Sequence, residues 1–161
     1  MDFLARREHS FCELELKLCI KFPHQQRTKI TEIVTTLRSE NLQSDTRFVE
    51  SYCRYRKGKG FGYKHIKSNL SLKRVATDEI NKQLCPDDPD WVEIAANVLR
   101  RKMKAANTTE IEKPEIYKLT RFMENRGNTT GIEKPEIYKL TRFMENRGFS
   151  VSQIKDAFKL L

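Results

Sequence analysis

The sequence predicts an all-α protein, an array of small helical modules, and three observations predict it. A basic helix end runs into Ser or Gly three times, each time with apolar residues four and eight positions further on. These blocks are Arg7-Glu8-His9-Ser10 with Leu14 and Leu18, Arg56 to Gly60-Phe61-Gly62 with Ile66 and Leu70, and Arg147-Gly148-Phe149-Ser150 with Ile154 and Phe158. Spacings of four and eight share one face of an α-helix, so each block reads as a helix end, a tight turn and a new amphipathic helix. Helix-capping chemistry punctuates the chain at the same places. No segment alternates with a period of two, so essentially no sheet is expected. Arrays of this kind present extended binding surfaces instead of enclosing a catalytic cavity.

Each element has its own signal. Ser10 with Glu13 is a capping box opening a helix with Leu14 and Leu18 inward, and Pro23 closes it. Ile30, Ile33, Val34 and Leu37 predict a second helix over 28–40. Ser44 or Asp45 caps a third, with Phe48, Tyr52 and Tyr55 as its buried stripe, ending at Gly58. A helix around Ile66 and Leu70 follows the glycine turn, then a short one from Thr77 through Ile80 and Leu84. Pro86-Asp87-Asp88-Pro89 breaks the chain and starts another helix, with Asp88 as N-cap and Pro89 in its first position. Trp91, Ile94, Ala95, Val98 and Leu99 form its apolar face. Ser150 with Gln153 is a second capping box and opens the last helix.

Residues 107–127 and 128–148 are the same 21 residues, differing only at Glu110 and Gly131. Identity at surface as well as core positions points to a recent duplication or an error in the sequence, because old repeats keep only their core. Each copy encodes one helix, opened by Pro114 or Pro135 and stopped by Gly127 or Gly148. The inward faces are Ile116, Leu119, Phe122 and Met123, and Ile137, Leu140, Phe143 and Met144. Copy two runs into Phe149-Ser150 and the closing helix, whereas copy one runs into Asn128-Thr129-Thr130 with Glu133 where an apolar residue belongs. Copy two is therefore expected in the native slot and copy one as a surplus helix.

Charged residues make up 33% of the 161, the mean hydropathy is −0.69, and no run approaches the roughly 20 apolar residues of a membrane span. Arg6, Arg7, Glu8, Glu13 and Glu15 stand where a secretory signal is apolar, so a cytoplasmic protein is expected. Cys12, Cys19, Cys53 and Cys85 lack metal-ligand spacing and read as reduced thiols. The net charge of +9 is uneven: no acidic residue lies between Glu50 and Asp78, and Arg100, Arg101, Lys102 and Lys104 form a second basic cluster. A solvated face is the bland reading, and two such clusters favour a basic working surface that attracts polyanions or acidic partners. The candidate contacts are Arg6, Arg7, Arg54, Arg56, Lys57, Lys59, Lys64, Lys67, Arg100, Arg101 and Lys102.

Chemistry is not indicated. Gly58-Lys59-Gly60-Phe61-Gly62 invites comparison with phosphate-binding loops, but those follow a strand and this one follows a helix. It reads as a helix–helix turn, or as a turn whose free N–H groups hold a phosphate or an acidic side chain together with Arg56, Lys59 and Lys64. His9, His24 and His65 lie apart from any patterned nucleophile, and there is no paired-carboxylate motif, metal set or serine elbow. A protein that is not an enzyme, with no cofactor and no metal, is expected.

Leu4-Ala5-Arg6-Arg7-Glu8-His9-Ser10-x-x-Glu13-Leu14 closely resembles the opening motif of the RecX regulatory proteins. Leu42-x-x-Asp45-x-Arg47-Phe48 looks like the start of that family's second unit. Arg56, Gly60-Phe61-Gly62 and Ile66-x-x-x-Leu70 are similar to its glycine turn, and Arg147-Gly148-Phe149-Ser150-x-x-x-Ile154 resembles its closing block. The family usually has Pro where this chain has Tyr63, and Gly near Arg74 before the third helix of unit two.

The resemblance implies three tandem three-helix units in an elongated, curved array: 1–42, a basic unit 43–85 with the glycine turn, and 86–161 interrupted by the duplication. It also implies a monomer without membrane contact that binds the RecA recombinase, as monomer or as filament on single-stranded DNA. There it would modulate, mainly inhibit, ATPase, strand exchange and coprotease activity in homologous recombination, DNA repair and the SOS response. A sequence-independent helical protein binding single- or double-stranded DNA is the alternative, for which the charge pattern alone suffices.

Overall fold

The computed structural model describes residues 2–105 and 135–161. Every regular element among them is an α-helix, as expected: α1 Asp2–Arg6, α2 Phe11–Lys21, α3 Arg27–Ser39, α4 Asp45–Gly58, α5 Tyr63–Leu72, α6 Thr77–Gln83, α7 Asp90–Ala105, α8 Pro135–Asn146 and α9 Val151–Lys159. Contacts divide the chain into two compact units, residues 1–56 with 67–85 and residues 57–66 with 86–161. The chain passes from one to the other within α4 and again within α5.

In the first unit α2 packs on α3. Leu14 and Leu18, one turn apart, meet Ile30, Val34 and Leu37 in a core flanked by Phe3, Leu4, Phe11 and Cys19. Each fully buried aliphatic side chain stabilises the fold by about 2 kcal/mol relative to exposure. The predicted α3 face is one residue too wide, because Ile33 is exposed. On α4 the buried face is Phe48, Val49 and Cys53, while Tyr55 is 59% exposed and Tyr52 half-buried. The stripe at four and seven residues from Phe48 runs off the edge of that face, since successive side chains turn by about 100°. Two tyrosines are thereby left to the surface.

Helices α3 and α5 end in the same hydrogen-bond pattern. Leu42 and Asn41 N–H groups donate to Leu37 and Arg38 carbonyls, and Val75 and Arg74 N–H groups donate to Leu70 and Ser71 carbonyls. Both ends are Schellman turns, whose pivot residue adopts the left-handed conformation. The pivots are Asn41 at φ +57° and Arg74 at φ +55°. Asparagine tolerates this conformation, whereas an arginine costs about 1 kcal/mol relative to glycine there. Arg74 is thus the position where the missing glycine is felt.

In the second unit α7 packs on α9 and α8. Trp91, Ala95, Val98 and Leu99 are buried with Leu140, Met144, Phe149, Ile154, Ala157 and Phe158. Asp88 accepts from Asp90 N–H at 3.0 Å and caps α7, as its sequence position predicts. The Ser150–Gln153 capping box is complete: Ser150 Oγ accepts from Gln153 N–H at 3.2 Å and Gln153 Oε1 from Ser150 N–H at 2.9 Å. Copy two of the duplication supplies α8 and turns into α9. Of its expected inward face, Leu140 and Met144 are buried and Phe143 half-buried, while the Ile137 side chain lies outside the described residues. Copy one, 107–127, also lies outside them.

Candidate partner-binding surface

The opening motif and the Leu42–Phe48 motif meet within the first unit and hold each other. Ser10 caps α2 through Glu13 N–H at 3.2 Å and donates its own hydroxyl to Lys73 O at 3.1 Å. Phe11 N–H, another unpaired donor of that helix end, goes to Asp45 Oδ1 at 2.8 Å. Gln43 Nε2 donates to His9 O at 3.1 Å and to Asp45 Oδ1 at 3.0 Å. Arg47 binds Glu8 Oε1 at 2.7 Å and covers the α3 terminus by donating to the carbonyls of Asn41 and Leu42. Much of the motif is therefore structural.

The Ser10 capping box is only half formed. The Glu13 carboxylate turns away from the Ser10 backbone to Arg7 Nη2 at 2.7 Å and Lys73 Nζ at 3.2 Å. Two cations offer it more than one backbone N–H does. Burial pulls the Glu13 pKa upward, but the hydrogen bond from Arg7 and the charge of Lys73 prevail and hold it at about 2, against an ordinary 4.5. The folded chain then binds fewer protons than the unfolded one across that interval. The stability from this cluster is full above about pH 4.5 and is lost as the pH falls through about 2. Glu13→Gln is expected to flatten the acid limb of urea-midpoint against pH between those values. An unchanged limb would mean that another carboxylate governs it.

His9 is buried beside this cluster, its Nδ1 3.3 Å from Glu13 Oε2 but off the line of a directed hydrogen bond. Burial, followed by the charge of Arg7, holds the imidazole below its ordinary pKa, in keeping with a turn residue.

Next to the Glu13 cluster lies a cleft of about 450 Å³ within the first unit, lined by Arg7, Glu8, Phe48, Ser51, Tyr52, Tyr55, Arg56 and Lys73. Arg56 donates from Nε to Tyr52 Oη at 3.0 Å and stands 5.2 Å over its ring. Lys73 Nζ lies 5.9 Å from the ring centres of both Phe48 and Tyr52. Glu8 pairs with Arg47, and Arg7 and Lys73 share the single carboxylate of Glu13, so with Arg56 the cleft keeps a positive balance. Cations beside an exposed aromatic ring are the pairing that grips phosphates and stacks bases or planar side chains.

In the second unit the glycine turn and the closing block lock together, backbone to backbone. Gly62 N–H donates to Arg147 O at 2.7 Å and Lys64 N–H to Gly148 O at 3.1 Å. The N–H groups of Gly62 and Lys64 at the opening of α5 are thus engaged within the second unit, and the glycines serve helix–helix contact. Arg147 Nη1 reaches back to the carbonyls of Lys59 and Gly60, both at 3.0 Å. Its guanidinium stands 5.1 Å from the centre of the Phe61 ring and 4.8 Å from that of Phe143.

The candidate contacts fall into distinct settings. Arg7 and Arg56, 49 positions apart, line one cleft. Arg6 is exposed at the end of α1, and Arg54 is exposed in an ion pair with Glu50 at 2.6 Å. Lys57 is half-buried, bonded to Asp88 at 2.6 Å and 4.5 Å over the Trp91 ring. Lys59 and Lys64 are exposed and Lys67 half-buried. Arg100 donates to Leu160 O at 2.8 Å, Arg101 to Asn97 O at 3.3 Å, and Lys102 stands 5.2 Å over Phe143. Sequence reasoning missed Lys73, Tyr52 and Tyr55 as cleft residues. Their signal was the tyrosine spacing within the basic run.

No metal-holding group of His, Cys, Asp and Glu occurs among the described residues, and none of their helices is long and apolar enough to cross a membrane. The fold is all-helical among the described residues, and its first unit carries a cleft lined by Arg7, Arg56, Lys73, Phe48, Tyr52 and Tyr55. No protein-family model matches the chain. It is similar to regulatory protein RecX of Mannheimia succiniciproducens, 34% identical over 128 residues that span 79% of this chain and 82% of the relative. It is likewise similar to regulatory protein RecX of Haemophilus influenzae, 33% identical over the same shares, and to that of Pseudomonas putida, 37% identical over 63% of this chain and 70% of the relative. The chain belongs to the RecX family of regulatory proteins.

Proposed function

We propose that this protein binds the RecA recombinase, as monomer or as filament on single-stranded DNA, and mainly inhibits its ATPase, strand-exchange and coprotease activities in DNA repair and the SOS response. The supporting observation is its likeness, over about four-fifths of its length, to proteins named for regulation. In this reading the chain is a cytoplasmic monomer of three tandem helical units, 1–42, 43–85 and 86–161, and is not an enzyme. In this reading the basic cleft takes up acidic groups of the filament.

The test is recombinase ATPase on single-stranded DNA with this protein added below stoichiometry. Inhibition is expected well before one protein per recombinase monomer. Full ATPase at saturation, with DNA binding intact, would favour a second reading, sequence-independent binding of nucleic acid. One observation supports that reading: Arg7, Arg56 and Lys73 flank Tyr52 and Tyr55 in one cleft. Salt separates the two, because phosphate binding weakens steeply with ionic strength and a packed protein interface keeps more of its affinity.

A further inference from the structure

Helix α2 turns two aliphatic side chains outward. Leu16 is 61% exposed and Ile20, one turn on, 72%; Leu72 at the end of α5 is 79% exposed. Together with Cys12, Cys19 and Pro23 they line a groove of about 870 Å³ that lies wholly within the first unit. Aliphatic side chains grouped in a concavity are uncommon on a free surface and mark a contact with another molecule.

The rim carries charge of unequal availability. Its carboxylates are engaged within the chain, Glu13 with Arg7 and Lys73, and Glu15 with Arg27 at 3.2 Å and the Thr31 hydroxyl at 2.5 Å. Lys17, half-buried with its Nζ 5.3 Å over the Phe3 ring, and the exposed Arg74 add positive charge to the same rim. Arg74 is also the pivot of the α5 Schellman turn, held at φ +55° where glycine is free of strain. Arg74 thus puts a cation in a strained backbone position at the mouth of the apolar groove.

Leu16 and Ile20 sit one helical turn apart, the repeat that seats between the side chains of a second helix. The groove offers no ring on which a base would stack. We infer that it docks an amphipathic helix of a protein partner, the apolar stripe against Leu16, Ile20 and Leu72 and a carboxylate against Arg74 and Lys17. The inference rests on the proposed regulatory reading only in expecting a protein partner.

The test uses the full chain and a fluorescein-labelled peptide with leucines at helical i, i+4 and i+7 spacing and glutamates beside them, followed by anisotropy. Saturable binding is expected. Leu16→Glu and Leu72→Glu, both at exposed positions, are expected to abolish it. Arg74→Gly is expected to weaken it about tenfold while raising the denaturant midpoint, a pairing that a purely structural role would not produce. Equal binding of a peptide with lysines for glutamates, or unchanged affinity in Arg74→Gly, overturns the inference. So does a dimer in light scattering that Leu16→Glu dissolves, which would place a second copy in the groove. Because the readout is the peptide, failure of recombinase inhibition leaves this expectation intact.

Discussion

Gly148→Ala is expected to destabilise the second unit by about 3 kcal/mol or more, read as a lowered midpoint in urea or heat. Two separate costs add. Gly148 has φ +88°, where a side chain is strained by about 1–2 kcal/mol. An added Cβ would also overlap the backbone nitrogen of His65, and backbone in a packed turn cannot swing aside as a flexible side chain can. Overpacking of that kind costs about 1–3 kcal/mol. Gly62 faces the same junction from the other side, its added Cβ falling 2.6 Å from the carbonyl of Gly148. Gly58 is the internal control, because an added Cβ meets nothing within 4 Å. Gly58→Ala is expected to be neutral or slightly stabilising. Equal midpoints for Gly148→Ala and Gly58→Ala would dismiss the interlocked turns.

The second large effect concerns the cleft. Replacing Arg7 and Arg56 together by Gln removes two of its three cations while keeping their hydrogen-bonding character. Affinity for single-stranded DNA is expected to fall at least tenfold at low salt. The slope of log affinity against log salt should become shallower by about 1.4, from two lost phosphate contacts at roughly 0.7 each. Tyr55→Ala is expected to remove about 1–3 kcal/mol of stacking without changing that slope. Arg54→Gln serves as comparison, since Arg54 lies outside the cleft lining. Circular dichroism guards against loss of the Arg7–Glu13 contact being mistaken for loss of binding. An unchanged salt slope in the double variant would show that DNA phosphates do not enter this cleft.

The two effects differ in how visible they were in the sequence. Among the described residues, helices α2 to α9 each carry a local signature of period or cap, and only the short α1 lacks one. Ser10, Ser44, Asp88 and Ser150 all accept backbone N–H groups at the helix starts assigned to them. Gly148 stands at a helix end where a left-handed pivot belongs. Even the strained Arg74 was marked, by the absence of an expected glycine. The exposure of Ile33 and Tyr55 was not, because a helical stripe tells which residues share a face but not where that face stops.

The charged residues were the least legible. Lys57 and Arg7 look alike as members of basic runs, yet one is held against Trp91 and Asp88 and the other pairs with Glu13 at the edge of a cleft. Glu13 fits a capping box by spacing, but Lys73, sixty positions away, draws its carboxylate elsewhere.

The sequence alone determined that this chain is helical, where its helices start and stop, which turns need glycine, and which family it belongs to. Those properties come from backbone conformations and hydrogen bonds spanning a few neighbouring residues. Tertiary structure decided what the three recurring turns do. One is stitched to Lys73 and Asp45, and the other two close on each other through Gly62, Arg147 and Gly148. It also decided which cations share a cleft and which are drawn to other elements, because that depends on the residues that folding brings beside each.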